Sequence, residues 1–142
     1  MTKRNVFFCL VCLAVLLIWC QSCLPRQLSA QESGWVTELL SRLLGITDIP
    51  EHFVRKLAHF TEYALLGCLI FLLLRCFPLK SIWRELYGAM LSMVVALLDE
   101  TIQIFSGRGP MIQDVWLDFG GAVFGGAVTC LIFYLIDKKR ST

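Results

Sequence analysis

Residues 96–121 read ALLDETIQIFSGRGPMIQDVWLDFGG and place four carboxylates between two strongly apolar stretches. Asp99 and Glu100 precede the Ser-Gly-Arg-Gly-Pro cluster at 106–110, and Asp114 and Asp118 follow it. Such a cluster is typical of a turn. The stretch therefore predicts two helices joined by a turn, with acidic residues on both sides of it.

The composition indicates a membrane protein. The 142-residue chain is 57% hydrophobic and only 17% charged, and its mean hydropathy is +0.70, which is too apolar for a water-soluble domain of this size. The apolar residues form blocks at 6–20, 57–77, 82–105 and 115–136. The last three reach the ~20 residues that an α-helix needs to cross a bilayer. We therefore predict an all-α polytopic membrane protein with four transmembrane helices.

The first block follows Lys3 and Arg4, a pattern shared by secretory signal peptides and uncleaved signal anchors. We expect an anchor over residues 1–24, because no small-x-small cleavage site follows closely. With the N-terminus inside, eight of the thirteen Lys and Arg residues fall on the cytoplasmic side, mostly in short clusters. The positive-inside rule then predicts that both termini are cytoplasmic, with a basic tail at 138–142.

Residues 25–50 form the predicted extracytoplasmic loop. Within it, Trp35, Leu39 and Leu43 recur at helical spacing with polar residues opposite, which predicts an amphipathic interfacial helix between the first two spans. Its apolar face fits two positions equally well, flat on the outer leaflet or packed on the transmembrane helices.

The residue distribution weighs against several classes of function. Nine of the eleven acidic residues fall on the predicted outer side, and no basic patch indicates nucleic-acid binding. Cys20 and Cys23 form a C-x-x-C that we interpret as two free thiols, with a disulfide as the alternative. No Ser or Cys stands beside a base in a recognisable nucleophile motif.

Polar side chains converge at the predicted outer ends of three spans. They are Lys56, His59, Glu62, Tyr63, Asp99, Glu100, Gln103, Arg108, Asp114 and Asp118. Asp99 shares a helix face with Gln103, and Asp114 with Asp118, because each pair is four residues apart. A G-x-x-x-G pair at 121 and 125 lies on the face of the two aspartates and permits close helix approach.

These side chains admit a structural and a functional interpretation. Each ionisable group costs about 2.5–3.5 kcal/mol at mid-membrane unless it is paired, so the set either pins the helices together or forms a site. As a site, its candidate catalytic groups are His59, Asp99, Glu100 and Asp114. Its candidate binding groups are Lys56, Glu62, Tyr63, Gln103, Arg108 and Asp118. A divalent metal on oxygen ligands is a further option, although Lys56 and Arg108 would compete with it as counter-charges.

Three motifs resemble the VanZ-like family of small bacterial membrane proteins. They are KLAHFTEYALLG at 56–67, DETIQIF with the following GRG at 99–109, and DVWLDFGG at 114–121. The resemblance implies a VanZ-like three-helix core at 51–137 in a multi-pass protein of the bacterial cytoplasmic membrane. The family often has Asn where this chain has Asp118, which adds a negative charge.

The family is known for low-level teicoplanin resistance that arises without the altered peptidoglycan terminus that defeats vancomycin. Teicoplanin carries an acyl chain and acts where lipid-linked wall precursors are exposed. The resemblance therefore implies a cell-envelope role, with membrane lipids and a lipid-linked precursor or lipoglycopeptide as partners. Whether a reaction is catalysed stays open, as do a homo-oligomer, a structural role and a proton-coupled carrier.

Overall fold

The computed structural model describes residues 2–24, 34–36, 38–39, 42, 50–106 and 111–140. Its four long helices are α1 (Lys3–Ser22), α2 (Glu51–Leu74), α3 (Ser81–Phe105) and α4 (Ile112–Arg140). Each is long and apolar enough to cross a bilayer, and the described ranges contain no strand. The predicted all-α membrane fold with four spans is confirmed.

The helices differ from the apolar blocks at their ends. α2 ends at Leu74, before the end of the apolar block at residue 77 and before Pro78. The intervening residues form a tighter turn, in which the Cys76 N–H donates to the Leu73 carbonyl at 2.9 Å. Phe77 precedes the proline, which disfavours a helical conformation for it. At the other end α2 begins after Pro50. Thr47 and Asp48, which fit a helix start in the sequence, lie outside the described residues.

The predicted amphipathic helix falls on a segment that is described only in part. Residues 34–36, 38–39 and 42 are helical. Glu38 and Arg42, one turn apart, form an ion pair at 2.7 Å, and the Trp35 side chain is 68% exposed. Where this segment lies relative to a membrane stays a prediction.

α2 and α4 share the most extensive helix contact in the described part of the chain. A Cβ on Gly125 of α4 would overlap the Ala64 carbonyl oxygen, and one on Gly67 of α2 would overlap that of Ala122. Gly121 meets the α2 backbone in the same way. The two backbones therefore touch because these positions lack a side chain, as the G-x-x-x-G pair predicted for α4.

α2 and α3 each contact the other three helices, and α2 is the central one because its contacts are the more extensive. The core side chains are Ile18, Tyr63, Leu66, Ile70, Leu74, Ala96, Val115 and Ala122. Ser92 and Thr129 are also buried, but their hydroxyls donate within their own helices, to the carbonyls of Gly88 at 2.8 Å and Gly125 at 3.0 Å. Both buried hydroxyls are therefore satisfied, and neither leaves an unpaired polar group in the middle of the bundle.

Gly125→Ala should destabilise the bundle, because its new methyl group collides with the Ala64 carbonyl. Overpacking of this kind typically costs about 1–3 kcal/mol. Gly120→Ala is the matched control, since a Cβ at Gly120 of the same helix meets no atom within 4 Å. The measurement is unfolding of the purified protein in mixed micelles. Equal stability of the two variants would contradict the proposed backbone contact.

Candidate functional site

Polar side chains are buried at one end of the bundle. The start of α2, the end of α3 and the start of α4 meet there, because successive helices run in opposite directions. Asp99 is 0% exposed and Asp118 1%, while Glu100 and Gln103 are 6% and 8% exposed. Four polar side chains from α3 and α4 therefore lie inside an otherwise apolar bundle.

Three helices each contribute one side chain to a compact group. His59 of α2, Asp99 of α3 and Asp118 of α4 offer ligand atoms that all lie within 4.8 Å of one another. We call these three residues the three-helix cluster. Gln103 donates from Nε2 to Oδ2 of Asp99 at 3.0 Å, which fixes the orientation of that carboxylate. The face of α3 that carries Asp99 and Gln103 is thus directed toward the cluster.

Several buried polar atoms around the cluster lack a hydrogen-bond partner among the described residues. They are the Tyr63 hydroxyl, Oδ1 of Asp118 and Oε2 of Glu62. Tyr63 is 0% exposed and lies within electrostatic range of Asp99 and Asp118. Buried polar atoms are almost always hydrogen-bonded, so each of these atoms destabilises the fold unless another group satisfies it.

Lys56 and Asp114 form the rim of the site. The Lys56 ammonium lies 2.8 Å from Oδ1 of Asp114, and the two side chains are 36% and 27% exposed. Asp114, a predicted catalytic group, is thus ion-paired outside the three-helix cluster. Its helical neighbour Asp118 points to the cluster, so the two aspartates that share a face have different surroundings.

Glu100 contacts the far side of the turn. Its Oε2 accepts a hydrogen bond from the Met111 backbone N–H at 3.3 Å, which links the end of α3 to the residue before α4. This contact gives Glu100 a role in closing the turn, whatever else it does. Arg108, the predicted cation of that turn, lies outside the described residues.

One contact of the site was not found from the sequence. The side chain of Gln21, near the end of α1, hydrogen-bonds Glu62 of α2. The sequence feature that could have indicated this contact is the position of Gln21, a polar residue directly after the apolar block of the first span. This contact makes α1 part of the polar end of the bundle.

The Lys56–Asp114 pair should show measurable coupling in a double-mutant cycle of Lys56→Met and Asp114→Asn. Its partial burial reduces screening, so we expect about 1 kcal/mol, near the upper end for accessible pairs. The matched control is Glu38 with Arg42, whose side chains are 63% and 76% exposed and should couple by about 0.3 kcal/mol. Equal coupling energies in the two cycles, measured by unfolding in mixed micelles, would show that the rim pair is an ordinary surface pair.

Comparison with known families matches residues 7–134 to VanZ/LLP1. No curated protein and no solved structure matches the chain. The match includes every residue of the three-helix cluster and its rim. It begins within α1, upstream of the motifs at 56–121 that carry the resemblance in the sequence. Since the match covers most of the 142 residues, this chain belongs to the VanZ/LLP1 family.

Proposed function

We propose that this membrane protein acts in the bacterial cell envelope by binding an amphiphile at the outer leaflet, with its anionic headgroup at the Lys56 rim of the polar end. The observation that carries the proposal is the three-helix cluster of His59, Asp99 and Asp118 within an apolar bundle. Ionisable side chains inside a membrane are costly and commonly mark ligand or ion sites. The cluster lies at the end of the bundle that the positive-inside rule places outside the cytoplasm.

The rim offers a cation to such a headgroup. Lys56 is partly exposed and paired with Asp114, and a lysine ammonium on its flexible stem can shift from a carboxylate to a phosphate. The sequence also places Arg108 in the adjacent turn, and an arginine can bind phosphate or carboxylate through two hydrogen bonds. Together these residues favour a phosphate or carboxylate headgroup over a neutral one.

The surroundings of the site suit an acyl chain. Large apolar side chains at this end are exposed, namely Phe53, Leu57, Phe105, Met111, Ile112 and Trp116. A polar centre next to an apolar surface matches a molecule that has a charged head and a hydrocarbon tail. This combination favours a lipid-linked precursor or a lipoglycopeptide over a water-soluble ligand.

A proton-coupled carrier is disfavoured by the one-sided distribution of charge. No Asp, Glu, His, Lys or Arg occurs between Glu62 and Arg75, between residues 85 and 99, or between Asp118 and Asp137. A transport path would need polar groups through the other half of the bundle. The polar end therefore fits a surface site better than the entrance to a pathway.

The other alternative is a network that only pins the helices together. Such a network would be expected to satisfy its own buried acceptors. Oδ1 of Asp118 and the Tyr63 hydroxyl have no hydrogen-bond partner among the described residues, which favours a binding site. His59, Asp99, Glu100 and Asp114 could act as general acids or bases, but binding alone requires no proton transfer.

The family resemblance extends the proposal to teicoplanin. Expression in a susceptible Gram-positive host should raise the inhibitory concentration of teicoplanin and leave that of vancomycin unchanged. Glu100→Gln, Asp114→Asn and Arg108→Ala should each lose this selective increase, because Glu100 and Asp114 lie at the polar end of the bundle and Arg108 is a predicted binding group. Asp137→Asn, an exposed carboxylate near the other end of α4, is the matched control and should keep it.

Membrane abundance of all variants must be equal for this comparison. No selective increase with the wild-type chain would contradict the glycopeptide role. Full activity of the well-folded site variants would instead contradict the assignment of the role to this site.

The proposed orientation predicts a cytoplasmic C-terminus. Basic residues gather at the end opposite the cluster, where Arg75 packs 3.8 Å from the centre of the Phe133 ring and Lys138, Lys139 and Arg140 end α4. A C-terminal green fluorescent protein fusion should therefore fluoresce, and an alkaline phosphatase fusion should be inactive. The reverse pattern would place the site on the cytoplasmic side and contradict its outer-leaflet role.

A further inference from the structure

We propose that His59, Asp99 and Asp118 bind a divalent transition-metal ion. The imidazole and the two carboxylates come from three different helices, yet their ligand atoms lie within 4.8 Å of one another. Ligands about 2.0–2.2 Å from a tetrahedral ion lie about 3.4 Å apart, so a closure of at most about 1.4 Å by side-chain rotation would complete the geometry. Metal sites need their ligands held in a fixed arrangement.

Two buried polar groups at this site have no hydrogen-bond partner among the described residues, which points to a cation. Asp118 is 1% exposed, and its Oδ1 has no hydrogen-bond donor among the described residues. The Tyr63 hydroxyl, 0% exposed, is likewise unmatched and lies within electrostatic range of Asp99 and Asp118. A bound cation would satisfy the Asp118 oxygen, and a ligand carboxylate or metal-bound water could accept from the tyrosine.

The charge balance also favours a cation. Glu62 and Glu100 lie within electrostatic range of Asp118, so several described carboxylates lie near the single imidazole of His59. Of the two expected counter-charges, the Lys56 ammonium pairs with Asp114 at 2.8 Å, and Arg108 lies outside the described residues. Burying several carboxylates close together is costly, because desolvation and mutual repulsion both oppose it. A divalent ion bound in the cluster would offset part of this cost.

The ligand set selects the kind of ion. One imidazole nitrogen with carboxylate oxygens suits Mn²⁺ or Zn²⁺, whereas Mg²⁺ and Ca²⁺ prefer oxygen alone. Nε2 of Gln103 donates a hydrogen bond to Oδ2 of Asp99 at 3.0 Å. In other metal sites, hydrogen bonds from neighbouring residues orient the ligands in the same way. Ion binding is independent of the proposed function. Only the further step, in which a headgroup binds to the ion, would rest on that function.

Mn²⁺ is the probe for the test, because its electron paramagnetic resonance reports both occupancy and nitrogen coordination. The full chain is purified, stripped with a chelator, placed in phosphatidylcholine nanodiscs and titrated with MnCl₂. We expect about one Mn²⁺ per chain, with nitrogen modulation of its spin echo, and displacement by Zn²⁺. Empty nanodiscs measure binding to lipid.

The variants assign the ligands. His59→Ala should remove the nitrogen modulation, whereas His52→Ala should keep it, since His52 is the chain's other histidine and is exposed. Asp118→Asn, which preserves side-chain shape, should weaken Mn²⁺ binding by about tenfold or more. Asp137→Asn should leave the affinity unchanged. Circular dichroism and size-exclusion chromatography identify any variant that fails to fold.

Two results would overturn the proposal. One is binding by the wild-type chain that does not exceed binding by empty nanodiscs, a result that needs no variant to fold. The other is nitrogen modulation that persists in folded His59→Ala or disappears in His52→Ala. Because the titration contains no teicoplanin or wall precursor, Mn²⁺ binding without resistance contradicts the proposed function alone, and resistance without Mn²⁺ binding contradicts only the metal site.

Discussion

The direct backbone contact between α2 and α4 is the constraint on which the site depends. Gly67, Gly121 and Gly125 lack the side chains that would separate the two helices. His59 lies about two turns before Gly67 on α2, and Asp118 lies just before Gly121 on α4. The approach that the glycines permit therefore also brings an imidazole and a carboxylate together. Bulkier residues at the crossing would move the helices apart and open the cluster.

The polar residues at this end divide by the contacts they make. Glu100 accepts from the Met111 N–H and Asp114 pairs with Lys56, so both stabilise the connection or the rim. Asp118 and Tyr63 are more deeply buried, and each has an atom with no hydrogen-bond partner among the described residues. Burial without a partner destabilises a fold. The burial of these two groups therefore supports the proposed binding site.

The remainder of the bundle contrasts with its polar end. The other parts of α2, α3 and α4 bury small or apolar side chains, and the buried hydroxyls of Ser92 and Thr129 bond within their own helices. The cluster is thus a local polar group of side chains on an apolar scaffold. Under the proposed function, an amphiphile would reach this end from the surrounding lipid, and no path through the membrane would be needed.

The sequence by itself determined the four helices, their membrane character and the sharing of a face by Asp99 with Gln103, because apolar length and helical periodicity are local properties. It also marked Gly121 and Gly125 as a close-packing face. Only the tertiary structure decided that Lys56 pairs with Asp114, that Asp118 joins His59 and Asp99, and that Gln21 reaches Glu62. Spacing along a chain specifies angles around one helix axis, whereas partners across helices depend on the rotation and separation of neighbouring helices. Packing at the glycine contacts sets both.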